Sequence, residues 1–260
     1  MRFGISTACL YPELTENSLD LLQKLGFNCF EIFLNSFSEL QDSYISDIKS
    51  RLSLNNGRVV SVHPFMSGDE PFLLFSDYYR RFLDTVEYYC NFFKCCSSLG
   101  AEYVIIHGDR KTAENGISDE EYFERFAILS QKAQKFGVTL LQENVYAFRS
   151  QHISFIKKMK SYLGSTAKFN FDLKQAVRAG ENPFEMCSAM GENLYNIHIN
   201  DNDSKNDCLL PGEGTFNYKK LFVLLNDVKY NKACIIEVYS RNFKNTTQLV
   251  NAYNFIKNVT

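Results

Sequence analysis

Short apolar runs alternate with longer amphipathic stretches along the whole chain. Eight of the runs read as strands. The first four are RFGIST (Arg2 to Thr7), NCFEIFL (Asn28 to Leu34), RVVSVHP (Arg58 to Pro64) and EYVIIHG (Glu102 to Gly108). VTLLQEN (Val138 to Asn144), AKFNFD (Ala167 to Asp172), LYNIHIN (Leu194 to Asn200) and CIIEVY (Cys234 to Tyr239) follow. Most are near-continuous rather than strictly alternating, the pattern of parallel strands covered by helices. Between them, TENSLDLLQKLG places Leu19, Leu22 and Leu25 at helical spacing and stops at Gly26, which suits a helix C-terminus. A long helix pattern begins at Asp77 and ends at Gly100. Ser118 precedes another, with Asp119, Glu120 and Glu121 at the positive end of the helix dipole and Gly137 after its close. Further helices are expected near Gln151 to Tyr162, Tyr218 to Val228 and Thr246 to Lys257.

Eight strands and about eight helices fill the 260 residues, with no linker rich in Pro, Ser or Gly and no room for a second core. The expectation is an α/β protein with a single (β/α)8 barrel domain over residues 1–260, since such barrels typically need ~250 residues. No G-x-G-x-x-G follows the first strand, which weakens a dinucleotide-binding reading.

Composition narrows the class. Apolar content of 45% and charged content of 22% are ordinary for a globular chain, and a net charge of −2 gives no reason to expect nucleic acid as partner. No segment approaches the ~20 apolar residues needed to span a bilayer, and the first apolar run is too short for a signal peptide. The eight cysteines lack C-x-x-C spacing. Cys9, Cys29, Cys90, Cys187 and Cys234 sit in apolar surroundings and read as buried hydrophobes in a reducing cytoplasm.

The candidate chemistry lies at the ends of the last four strands. Glu143, Asp172, His198 and Glu237 each close an apolar run at spacings of 26 to 39 residues, those of strand-plus-helix units. Strand C-terminal ends share one mouth in a barrel, so the four meet there. Three carboxylates and an imidazole suit Mn²⁺, Mg²⁺, Co²⁺, Fe²⁺ or Zn²⁺, and a cation explains how the carboxylates stay ionised together. His63 and His107 end strands three and four on the adjacent arc, where they suit a second metal or substrate hydroxyls. Gln175 sits in the loop after strand six. Glu31 suits either the mouth or an interior hydrogen bond, Cys208 reads as a loop thiol, and His152, Arg241 and Lys244 read as surface groups.

LGAEYVIIHG, LLQEN, FNFDLKQAVRAGENP, IHINDND, LLPGEGTFNYKKLF and IIEVYS occur in an order that resembles the xylose isomerase-like superfamily across nearly the whole chain. That group includes sugar-phosphate isomerases and epimerases, ketose 3-epimerases, inosose-processing enzymes and endonuclease IV-type enzymes. The resemblance implies a shared metal on Glu143, Asp172, His198 and Glu237. It also implies that Glu143 and Glu237 move a proton across the two faces of a sugar, with the metal stabilising the enediolate oxygen. Two departures stand out. The usual D-x-x-H after strand six is Asp172-Leu-Lys-Gln175, which puts an amide where a histidine contacts substrate, and the loop Asp-x-His pair is replaced by Asn206, Asp207 and Cys208. Their loss argues against a three-metal phosphodiesterase.

The expectation is therefore a cytoplasmic, divalent-metal-dependent isomerase or epimerase of a small sugar, ketose or polyol-derived substrate, with a homo-oligomer open. Alternatives are an inosose dehydratase-like lyase, an endonuclease IV-like phosphodiesterase and a sugar-binding barrel without catalysis.

Overall fold

The computed structural model describes residues 1–110 and 116–259. Eight parallel strands close on themselves in sequence order: β1 (Arg2–Ser6), β2 (Cys29–Phe33), β3 (Arg58–His63), β4 (Tyr103–Ile106), β5 (Thr139–Glu143), β6 (Phe169–Asp172), β7 (Leu194–Ile199) and β8 (Ala233–Ile236), which pairs back onto β1. Outside lie α1 (Thr15–Lys24), α2 (Asp42–Leu54), the single turn α3 (Glu70–Leu73), α4 (Tyr79–Ser98), α5 (Asp119–Gln134), α6 (Ile153–Leu163), α7 (Leu173–Arg178), α8 (Pro183–Met190), α9 (Tyr218–Asp227) and α10 (Thr247–Val259). This is the single (β/α)8 barrel expected from the apolar pattern.

The strands run shorter than the apolar pattern suggests. β4 stops at Ile106 and β8 at Ile236, which leaves His107 and Glu237 one residue past their strands. Glu237 still donates its backbone N–H to the Ile199 carbonyl at 3.1 Å, so the ladder reaches it. The long fourth helix begins at Tyr79 rather than Asp77. Cys90 is half-buried, unlike the other seven cysteines, because its position on α4 falls between the buried stripe and solvent.

Two apolar layers hold the barrel. The larger one fills the space between strands and helices, with Phe30, Phe82, Phe93, Phe126, Phe169 and Phe171 among its fully buried rings. The smaller one is inside: Cys29, Val60, Tyr103, Ile105, Leu141, Ala233 and Ile235, with Tyr195 against them, make a floor across the lumen. Gly4 completes that floor by absence, since a Cβ there would lie 2.6 Å from the Cys29 carbonyl oxygen and 2.8 Å from Ile235. Strand side chains alternate between faces. The inward parity that gives the floor therefore continues upward, from Ile105 to His107, Leu141 to Glu143, Ile235 to Glu237 and Cys29 to Glu31. The apolar floor and the polar mouth are successive rungs of the same strand faces.

Candidate active site at the barrel mouth

Two ladder irregularities set the upper rung. Between β2 and β3, Phe30 pairs with Val59 but Glu31 pairs with Ser61, so Val60 is an extra residue. Between β6 and β7, Phe169 pairs with Leu194 but Asn170 with Asn196, which makes Tyr195 the extra residue. Such bulges re-aim the side chains that follow. Here they bring Ser61 beside Glu31, Asn196 beside Asn170, and Asp172 beside His198.

Glu143 is the hub. Its Oε1 accepts from Asn170 Nδ2 at 3.1 Å and lies 3.0 Å from His198 Nδ1. Its Oε2 lies 3.0 Å from His107 Nε2 and 3.8 Å from His63 Nε2. The two histidines approach each other at 3.1 Å through their Nε2 atoms, and the His63 ring stacks on Phe33. Burial works against the Glu143 charge, but the imidazoles of His107, His198 and His63 around it hold its carboxyl well below the usual range.

His198 is fully buried and oriented from behind. Its Nε2 is 2.9 Å from Glu31 Oε2, which also accepts the Ser61 hydroxyl at 2.7 Å. The charged ring donates from Nε2 to Glu31 and from Nδ1 to Glu143, with Glu237 at 3.4 Å and Asp172 at 3.8 Å from Nδ1. Burial opposes a charged ring at His198 and His63, yet the surrounding carboxylates raise both imidazoles. Glu31 thus takes the interior hydrogen-bond role, one of the two open to it from sequence.

Asp172 ends β6 and caps α7: its Oδ1 accepts the Gln175 backbone N–H at 3.1 Å. Asn144 clamps its main chain, accepting from Asp172 N at 2.7 Å and donating to Asp172 O at 2.9 Å. Oδ2 accepts no hydrogen bond although it is buried; the Lys174 ammonium stands 3.2 Å away without hydrogen-bond alignment. Burial, joined by Glu143 and Glu237, pushes the Asp172 carboxyl up against the pull of Lys174.

Lys174 is 3% exposed and donates to Glu237 Oε2 at 2.7 Å. Burial disfavours both charges, but Lys174 and then His198 hold the Glu237 carboxyl well below its usual range, and Asp172 and Glu237 together raise the ammonium. The sequence motif contained this lysine without marking it as part of the site. Its position two residues after a strand-end aspartate, on the first turn of α7, was the available signal.

The mouth opens into a cavity of about 440 Å³ whose walls include Glu143, Glu237, His107, Lys174, Gln175 and the ring of Tyr239. Gln175 reaches this wall, while its Oε1 accepts the Tyr146 backbone N–H at 3.1 Å and ties the β5 loop to α7. Behind His107, the buried Glu70 accepts the Gly108 N–H at 2.6 Å and the Tyr89 hydroxyl at 2.8 Å. No sequence pattern singled out Glu70, because it lies on one turn of helix between two loops.

The other expected positions are ordinary. His152 is exposed beside Glu181, and Arg241 is exposed over the Tyr239 ring. Cys208 is buried, its thiol pushed up to about 11 by that burial, and Asp207 pairs with Arg178.

The donor set fits a cation. Glu143, Asp172, His198 and Glu237 each bring one ligand atom to within 4.8 Å of the others, and so do His63, His107 and Glu143. A buried carboxylate oxygen without a hydrogen bond is the group that a metal satisfies.

Fold and site together define an eight-stranded barrel with a carboxylate- and histidine-lined mouth. The chain belongs to the xylose isomerase-like TIM barrel family, which its residues 19–259 match. It is 24% identical over 276 residues to an uncharacterised protein of Mycobacterium leprae, covering 95% of this chain and 92% of that one. A protein of Methanocaldococcus jannaschii is 22% identical over 95% of this chain and 86% of its own. Among solved structures, a D-tagatose 3-epimerase-like protein superposes with a TM-score of 0.81 at 20% identity, covering 100% of this chain and 97% of that one. The IolI protein with a zinc atom gives 0.74 at 16% identity, covering 100% and 96%. The probable 3-DHS dehydratase AsbF from Bacillus anthracis gives 0.74 at 12%, covering 99% and 98%. Among the described residues, no helix is long and apolar enough to cross a membrane.

Proposed function

We propose that the protein is a divalent-metal-dependent isomerase or epimerase of a small sugar, ketose or polyol-derived substrate. The observation that carries this reading is the placement of Glu143 and Glu237 on the wall of one cavity, both held ionised and both within 3.4 Å of His198 Nδ1. Glu143, Asp172, His198 and Glu237 would hold the metal, which supplies Lewis-acid polarisation to a substrate carbonyl. One glutamate takes the proton from the carbon beside that carbonyl and later releases it to water, and the other, first protonated from water in the cavity, returns a proton from the opposite side. A carboxylate kept ionised in a buried site is ready to accept a proton without first losing one. His63 and His107, joined at Glu143, suit substrate hydroxyls or a second cation, and Gln175 offers its amide N–H2 to the cavity.

The test is exchange of the carbon-bound proton with solvent deuterium across a panel of ketoses and keto-polyols, with Mn²⁺ present. Label at the carbon beside the carbonyl is expected, with loss of roughly 10²-fold or more in rate for Glu143→Gln or Glu237→Gln while circular dichroism stays native. An unsaturated product would move the reaction to a lyase. No exchange and no product with any member of the panel counts against catalysis on this substrate class.

A further inference from the structure

Lys174 is the feature of the mouth that the proposed chemistry does not use. A lysine with 3% of its side chain exposed is uncommon, and this one sits on the first turn of α7 with its ammonium 2.7 Å from Glu237 Oε2 and 3.2 Å from Asp172 Oδ2. Those two carboxylates are half of the four-donor group that converges within 4.8 Å. Asp172 Oδ2 accepts no hydrogen bond from any partner, so Lys174 neutralises it without satisfying it.

We propose that Lys174 is a tethered cation that competes with the metal for the Asp172 and Glu237 carboxylates, so that loading the metal requires the ammonium to leave them. This rests on the metal-centred reading of the mouth. Two cations drawn to the same carboxylate oxygens repel each other strongly in a buried site, where water screens little. Lysine is suited to yield, because its charge is a compact point on a flexible four-carbon stem. It has a place to go: the side chain already lines the cavity, and its ammonium lies 5.1 Å from the centre of the Tyr239 ring, whose face attracts a cation. In the metal-free protein the same ammonium keeps Asp172 and Glu237 from repelling each other. A metal-loaded protein would instead carry a free ammonium on the substrate's side of the mouth.

The inference is tested by titrating Mn²⁺ into wild type, Lys174→Met and Lys174→Gln by calorimetry, with thermal melts of each protein with and without Mn²⁺. At least tenfold tighter binding in both variants is expected. Their metal-free melting temperatures should fall below wild type, and Mn²⁺ should raise them by more. The glutamine variant keeps a polar tip, so one folded variant suffices if the other does not fold. Equal or weaker affinity in a folded variant overturns the competition and leaves the metal reading standing. A crystal structure with Mn²⁺ bound and the wild-type ammonium still within 3.5 Å of both carboxylates overturns it too. No binding to any of the proteins withdraws the metal reading itself, and the competition with it.

Discussion

Two buried glutamates outside the expected ligand set support the mouth, Glu70 by holding the turn after His107 and Glu31 by bonding His198. Glu70 accepts from both Gly108 N–H and Tyr89 hydroxyl, and an apolar side chain in its place would leave both without an acceptor. Glu70→Leu should therefore cost about 1–3 kcal/mol for each unmet buried polar group, as read by urea denaturation. An unchanged midpoint would mean that the Gly108 turn holds itself. Glu31 acts on His198 through Nε2. If His198 holds the metal as proposed, Glu31→Gln should weaken Mn²⁺ binding on the order of 10- to 100-fold with the fold retained, because the partner behind a ligating imidazole sets its orientation and basicity. Unaltered affinity by calorimetry would detach Glu31 from the site. At this scale the sequence was half legible. Strand-end residues announce themselves by closing an apolar run, whereas Glu70 lies on a short helical turn that no periodic pattern precedes and Lys174 follows such a run without closing it.

Helix starts follow local chemistry. Ser118 caps α5 by accepting the Glu121 backbone N–H at 3.1 Å, with three acidic residues in the first turn. Ser118→Ala should lower stability by about 1 kcal/mol, measurable as a shift in urea midpoint with unchanged slope. A shift within error would mean that water replaces the cap. The same signal, Asn182 followed by Pro183, opens α8, a helix of only eight residues that apolar spacing alone does not display. The two bulges were invisible in the sequence for a different reason. Val60 and Tyr195 are apolar or amphipathic, so an extra residue leaves a continuous apolar run looking continuous. Eight strands and their order could be read from the chain; the register that sets Asp172 beside His198 could not.

The barrel is also fastened at the end away from the mouth. Glu102, just before β4, pairs with Arg2 of β1 at 3.0 Å and Arg58 of β3 at 2.8 Å, joining three strands by one carboxylate. Burial works against its charge, but Arg2, the Tyr103 hydroxyl and Arg58 hold its carboxyl below the usual range. A carboxyl lowered in the folded state contributes stability above its unfolded pKa of about 4.3 and loses it as pH falls through the folded value. Glu102→Gln should thus be less stable than wild type at pH 7, with the two urea midpoints converging as pH drops below about 4. A gap that persists in acid would assign the loss to packing rather than charge.

The continuity of floor and mouth has a consequence for how such a protein can change over generations. Ile105, Leu141 and Ile235 close the lumen, and the next inward residues, His107, Glu143 and Glu237, face the cavity. A substitution on the upper rung leaves the lower one packed as before, so the ability to fold and the choice of reaction are inherited as separable traits. One scaffold can thereby descend into lineages with different chemistries, each altered by a few codons at strand ends.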